Sequence, residues 1–404
     1  MKKAIILAAA VLSLGLAACS DDNDGVRSSD INLPAPIVLT AAEKSSTEAA
    51  NDLAYRAFSQ IYAKETALPA FSPLSAQMAL SMTANGATGE TFDEMLGVLC
   101  PGARTLSDLN SLYGKLAGAL PLADGKTTVA IANSVWYAED FSVSLSFTRM
   151  LAEEYLATVS AFGLGNRADV ASLVNAWISD ATRGNITGML KEDQVSALMI
   201  VNALYFKSEW AKKFDKRNTK TGTFTNIDFS PASVPFMHGS MNGAYGKIGN
   251  VEVASLPFGN GAFEMVVVLP ERGVAPDDAL DALQASGGVE DLNGVELRLS
   301  MPSFKVRAQL DLVPAYKALG IRRAFGSDAE FGNMGNVAAN IGLLMQECCI
   351  EVNEEGAEAS AATVNGFVTS SGNVVDLILD HPFAYLIRES STGTILFMGA
   401  VNRL

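Results

Sequence analysis

Catalysis needs side chains that attack, move protons or hold metals, and in this chain of 404 residues such groups are sparse. It has two histidines, His238 and His381. A serine hydrolase places a base beside an activated nucleophile, and no GxSxG or comparable motif accompanies either one. His381 precedes Pro382 in an apolar C-terminal stretch and reads as structural. Among the cysteines, Cys348 and Cys349 are neighbours; a bond between them would be strained, and successive strand side chains point to opposite faces. No disulfide framework or metal-ligand spacing is visible, and no cofactor motif. Cys100, Cys348 and Cys349 read as small apolar core residues.

The unusual chemistry lies in a segment that could be acted upon. Residues 353–372 read NEEGAEASAATVNGFVTSSG, with Phe367 as their only aromatic. A structureless stretch of about twenty residues inside a compact domain is functional or a misread element. If Glu358 faces solvent, strand alternation puts Ala357, Ala359, Ala361 and Thr363 on the opposite face. Those side chains are small enough to slide into a tight slot in a sheet, yet bury too little to hold themselves folded. A disordered Ala/Ser-rich connector is the plainer alternative.

The elements around this segment must supply the slot. Residues 46–68 show helical spacing up to Pro69, and Ser72-Pro73 reads as an N-cap with proline in the first turn of a helix over 74–83. Further helices are expected at 91–99, 146–158, 169–182 and 309–319, the last ended by Gly320. Apolar strand runs fall at 131–137, 198–201, 204–206, 263–269, 295–300, 341–352, 374–379, 383–387 and 394–401. Helices predominate first and strands later, without βαβ alternation: an α+β pattern. Length alone predicts two domains.

Formal net charge is −15, which repels nucleic acid and anionic membranes. At the N-terminus, Lys2-Lys3 and the apolar run from Ala4 to Leu16 form a signal-like segment too short to span a bilayer comfortably. It ends Leu16-Ala17-Ala18-Cys19, which resembles a bacterial lipobox and implies cleavage before Cys19, acylation of its thiol and a membrane anchor. Ser20-Asp21-Asp22-Asn23-Asp24 resembles the acidic export tag of surface lipoproteins. The expectation is a signal peptide over 1–18, an acylated tether over 19–45, and an outer-membrane lipoprotein facing the cell exterior.

The remainder resembles the serpin family in an ordered series of motifs. Glu351 to Thr363 resembles the hinge of inhibitory members; Phe71-Ser72-Pro73-Leu74-Ser75 an early helix motif; Asn202 to Lys207 with Trp210 and Phe214 a central strand. Val234-Pro235-Phe236-Met237, Leu256-Pro257-Phe258, Met301-Pro302-Ser303-Phe304, Asp380-His381-Pro382-Phe383 and Phe397-Met398-Gly399 complete the series. The resemblance implies one monomeric domain over 46–404, with three β-sheets, eight or nine helices and an exposed reactive loop. It implies an inhibitor that turns nothing over: a serine protease cleaves the loop, forms an acyl-enzyme, and is trapped when the loop enters the central sheet.

Residue roles carry over on the same basis. Gly356 is the pivot, and Ala357, Glu358, Ala359, Ser360, Ala361, Ala362 and Thr363 form the hinge. The usual loop spacing puts the scissile bond between Ser370 and Ser371. Among the specificity residues, the small or β-branched Val368 and Thr369, with Ser370, suit elastase-like or subtilisin-like pockets, and Phe367 offers a secondary site for chymotrypsin-like enzymes. Ser72, Ser75 and Asn202 fall in a polar cluster controlling the sheet, and Trp210 falls where insertion begins. Gln346 stands where the family commonly has His. The runner-up reading is a non-inhibitory serpin, a carrier or scaffold.

Overall fold

The Ser72-Pro73 start illustrates how local chemistry sets the elements. Ser72 is extended and its side chain accepts from the Ser75 N–H, while Pro73 opens the helix without wasting a donor. Every residue of that helix is buried, which suits a run of small and sulfur-containing side chains without an exposed face. The computed structural model describes residues 32–62, 69–102, 104–163, 165–289, 291–336, 340–356 and 373–404. Residues Leu33–Leu404 form one compact unit, in place of the two domains length suggested.

In chain order the elements are α1 (Ala41–Tyr62), β1 (Ala70–Phe71), α2 (Pro73–Ala84), α3 (Gly89–Leu99) and α4 (Leu106–Ala119). There follow β2 (Thr128–Ala138), β3 (Ser142–Val143), α5 (Leu145–Glu154), β4 (Thr158–Phe162), α6 (Arg167–Ala181) and β5 (Leu198–Lys207). The next are β6 (Lys220–Thr225), β7 (Pro231–Ile248), β8 (Val251–Phe258), β9 (Phe263–Leu269), α7 (Pro276–Ala285) and β10 (Asn293–Pro302). The chain closes with β11 (Phe304–Asp311), α8 (Val313–Leu319), β12 (Gly335–Asn336), β13 (Met345–Val352), β14 (Val374–Ile378), β15 (Phe383–Glu389) and β16 (Ile395–Val401).

The strands build three principal sheets. One large hydrogen-bonded array runs β1-β16-β15-β9-β8-β7-β10-β14, with β6 also on β7. The 18-residue β7 joins two sheets within it: residues 231–236 pair with β6, 236–245 with β10, and 244–248 with β8. The third sheet is in two parts, β4-β2-β5 and β11-β13. Helix α6 covers one face of the first part, where Val170, Val174 and Ile178 pack with Trp136, Phe162 and Val201. Residues on the other face, Val135 and Leu204 among them, join the main core.

Several expectations change. The helix expected to run to Thr158 stops at Glu154; Leu156 takes φ +52°, and Thr158 and Val159 pair with Ser134 and Val135 of β2. An edge next to β2 outweighs the local helical pattern, as it commonly does for β-branched residues. Gln309–Asp311 belong to β11 rather than to a helix, which starts only at Val313, whereas Gly320 does end it at φ +121°. The first helix starts at Ala41, and Ile37 and Leu39 are buried, so the folded body begins before residue 46. Their polar neighbours disguised them as tether. Cys100 and Cys348 are buried, but Cys349 is half-buried on the other face of its strand.

Candidate functional site

The central feature is a seam. β5 pairs antiparallel with β2 through ten residue pairs, and β13 with β11 through eight. Among the described residues no ladder joins β5 to β13, although the two strands are neighbours. They run in the same direction. Gln194, before β5, lies beside Met345 at the start of β13, and Trp210, beyond β5, meets Asn353–Gly356 beyond β13. Each strand therefore turns a row of backbone donors and acceptors towards the other without pairing. Such groups are usually satisfied in a native sheet, so the seam is a reservoir of unmade hydrogen bonds.

Polar side chains bridge the seam from beneath, and four sequence-chosen residues, Ser72, Ser75, Asn202 and Gln346, meet a fifth, Asn133, there. The Ser72 N–H donates to Gln346 Oε1 at 2.7 Å, and Gln346 Nε2 donates to the Ser72 carbonyl at 2.8 Å. Gln346 thus fastens β13 to the start of α2. On the other side, the Ser75 hydroxyl donates to Asn202 Oδ1 of β5, and Asn202 Nδ2 donates to Asn133 Oδ1 of β2. Asn133 Nδ2 in turn donates to the Tyr155 carbonyl at 2.8 Å, tying down the turn after α5. All five side chains, from Ser72, Ser75, Asn133, Asn202 and Gln346, are buried. The N-terminus of α2 is thus the shared post for both halves of the sheet.

Asn133 was missed by sequence reasoning. Its signal was available: an amide in the middle of an apolar strand must find a buried partner. Cys348 adds little chemistry here. Its thiol donates to Gln346 Oε1 at 3.4 Å, and burial raises its pKa, so it stays protonated and unreactive.

The end of the seam is closed by Trp210. Its ring stacks on Phe258 at 4.5 Å between centroids and meets Phe214 edge-on. Its indole N–H donates to the Asn353 carbonyl at 2.9 Å, and its backbone N–H to the Glu355 carbonyl at 3.2 Å. Trp210 is therefore both a core aromatic and a contact to the segment before the expected hinge. Gly356 takes φ +109°, and a Cβ there would lie 2.4 Å from the Trp210 nitrogen and 2.5 Å from Glu209 Cα. No other residue fits this close approach. Glu354 and Glu355 are also held: Thr219 Oγ1 donates to Glu354 at 2.6 Å, and Lys216 Nζ pairs with Glu355 at 2.5 Å.

Ala357 to Thr363, Phe367, Val368, Thr369, Ser370 and Ser371 lie outside the described residues, as does Cys19. The described chain resumes at Asn373, whose carbonyl accepts from Glu296 of β10, before β14 pairs in parallel with β10. His381 is engaged on both ring nitrogens, by Asp380 at 2.8 Å and by the Pro270 carbonyl at 2.8 Å. That accords with its structural reading.

Similarity to known proteins follows the same outline. A family model described as serpin (serine protease inhibitor) matches residues 48–404. Serpin-ZX of Arabidopsis thaliana is 31% identical over 359 residues, covering 82% of this chain and 90% of that protein. Human neuroserpin is 31% identical over 350 residues, covering 82% and 85%. The crystal structure of a thermophilic serpin, tengpin, in its native state superposes with a TM-score of 0.80 at 25% identity, covering 93% of this chain and 98% of that one.

Proposed function

We propose that this chain, which belongs to the serpin family, inhibits a serine protease of elastase-like or subtilisin-like specificity by presenting residues 364–372 as a substrate and trapping the acyl-enzyme. The observation that carries the reading is the unpaired seam between β5 and β13. The protease serine attacks the carbonyl carbon of Ser370, the Ser370–Ser371 bond breaks, and the new amine leaves on the side that continues into β14. An ester then joins Ser370 to the enzyme. Residues 357–370 remain attached to Gly356, at the end of the seam.

A chain turning back from Gly356 into the seam runs antiparallel to both β5 and β13 and can pair with each. Fourteen residues span roughly 46 Å when extended, more than the roughly 33 Å of a ten-residue strand. The acylated end is thereby drawn past the far end of β5, with the protease attached. On the order of ten new hydrogen bonds, each worth about 0.5–1.5 kcal/mol net, drive the movement. Ala357, Ala359, Ala361 and Thr363 supply the narrow face that such entry requires. Distortion of the protease's catalytic groups leaves the ester unhydrolysed. In the same reading Cys19 carries the acyl chains that hold the inhibitor at the outer face of a membrane.

The test is Ala357→Arg. Burying an unpaired guanidinium at the first inserted position costs several kcal/mol. Inhibition is a race against hydrolysis, and a barrier higher by a few kcal/mol slows insertion by a factor on the order of a hundred. The variant is expected to be cleaved near Ser370 and to release active protease, whereas the wild type forms gel-stable complexes and, once cleaved, melts far above the intact protein. Equal inhibition by both proteins, or no stability gain in cleaved wild type, would sink the mechanism.

A further inference from the structure

The stretch from Trp210 to Lys220 carries Lys212, Lys213, Lys216, Arg217 and Lys220 against a single acid, Asp215, in a chain of net charge −15. Lys212, Lys216, Arg217 and Lys220 are exposed. Lys212 Nζ reaches Ser240 Oγ on β7 at 3.1 Å, and Ser240 lies directly opposite Arg298 of β10. The Arg298 side chain is 63% exposed and only loosely paired, 3.9 Å from Asp376 on β14. The cations therefore form a ridge across the β6–β7–β10 surface. One end lies beside Glu209, which bridges to Gly356; the other reaches β10 two residues beyond Glu296, the contact of Asn373. The ridge thus occupies the ground between the two points where residues 357–372 leave and rejoin the folded body.

We propose that this ridge is a docking surface for the acidic rim of the target protease, with Lys212, Lys220 and Arg298 as its open positions; the proposal rests on the inhibitory reading above. In that reading the protease is bound through a segment whose two described flanks, Gly356 beside Glu209 and Asn373 on Glu296, border this surface. Lys212 and Lys220 make no ion pair among the described residues, whereas Lys216 and Arg217 are already taken by Glu355 and Asp215. The ridge also alternates with carboxylates: Glu209, Asp215, Glu354, Glu355 and Asp376. A continuous polyanion would meet those like charges along its length. Discrete carboxylates on a folded surface can seat between them. Screening confines the attraction to about 8 Å at physiological ionic strength, so the ridge acts locally despite the chain's overall negative charge.

The experiment compares second-order rates of covalent-complex formation for wild type and for Lys212→Glu/Lys220→Glu/Arg298→Glu. Two elastase-like proteases of the same pocket chemistry are used, one acidic and one basic in net charge. With the acidic protease the variant is expected to be at least tenfold slower at low salt, the gap closing towards twofold at high salt. With the basic protease it is not slower, and cleaved-form heat resistance matches wild type. The set Lys212→Gln/Lys220→Gln/Arg298→Gln, free of reversed charge, gives an intermediate loss. Rates within twofold at low salt overturn the ridge while leaving the inhibitory reading standing. Acceleration of wild type alone by added dextran sulfate assigns the ridge to a polyanion and overturns it too. Wild type that traps no protease overturns both readings.

Discussion

Gln346 bears on the seam more directly than any other single side chain. Its amide spans the Ser72 peptide group, accepting from the N–H and donating to the carbonyl. The carbonyl also accepts from the Ala76 N–H, so removal of the amide orphans chiefly the buried Ser72 N–H. Gln346→Ala is therefore expected to cost about 1–3 kcal/mol, the penalty of leaving one buried donor unpaired. The first unfolding transition in urea should move to lower concentration by a corresponding amount; an unmoved transition would show that the clasp contributes nothing. The family resemblance picks out Gln346, ahead of the expected hinge. Its partner could not, because the 274 positions separating it from Ser72 carry no local signal.

The start of α1 shows an element fixed to its neighbours by charge. Glu43 is 3% exposed; it pairs with Lys115 of α4, accepts from the Ser111 hydroxyl and caps the Thr40 N–H. Burial pushes its carboxyl pKa up, but Lys115, Thr40 and Ser111 outweigh burial and hold it down at about 2. A carboxyl whose folded pKa lies below its ordinary value of 4.5 stabilises fully above that value and loses its contribution as pH falls towards 2. The amount is about 3 kcal/mol. Glu43→Gln should flatten the melting temperature between pH 4.5 and 2 relative to wild type. Parallel profiles would mean that other carboxyls govern acid unfolding. The same contacts explain the early folded boundary. Lys115 also donates to the Val38 carbonyl, and Ile37 N–H to Ser391 Oγ, stitching down a stretch that composition alone presents as tether.

For the whole molecule, the proposed reading joins a body with an unpaired seam to a proposed membrane anchor. Leu16-Ala17-Ala18-Cys19 motivates the anchor, and two or three acyl chains are enough for stable attachment. The full chain expressed in a bacterium with lipoprotein processing should sediment with membranes, and Cys19→Ser should shift it to the soluble fraction. Finding the unaltered protein soluble would remove the anchor and leave the trap intact. Among the described residues no helix is long and apolar enough to cross a membrane.

Local sequence determined the pieces of this protein. Ser72-Pro73 starts a helix and Gly320 ends one, because capping and backbone freedom are properties of one or two residues. The apolar runs become strands because burial on both faces needs continuous hydrophobicity. The stripe of small residues after Gly356 is likewise visible as composition. Tertiary structure decided what the strand edges meet. Periodicity records which faces are buried, but carries no mark of whether an edge is paired, so the seam between β5 and β13 has no sequence signature. Trp210 over Gly356, Lys216 on Glu355 and Asn133 on Asn202 depend on the same long-range placement. Leu156 and Thr158 went wrong for that reason: a local helical pattern yielded to a partner strand, with Thr158 pairing with Ser134 of β2, available only once β2 was in place.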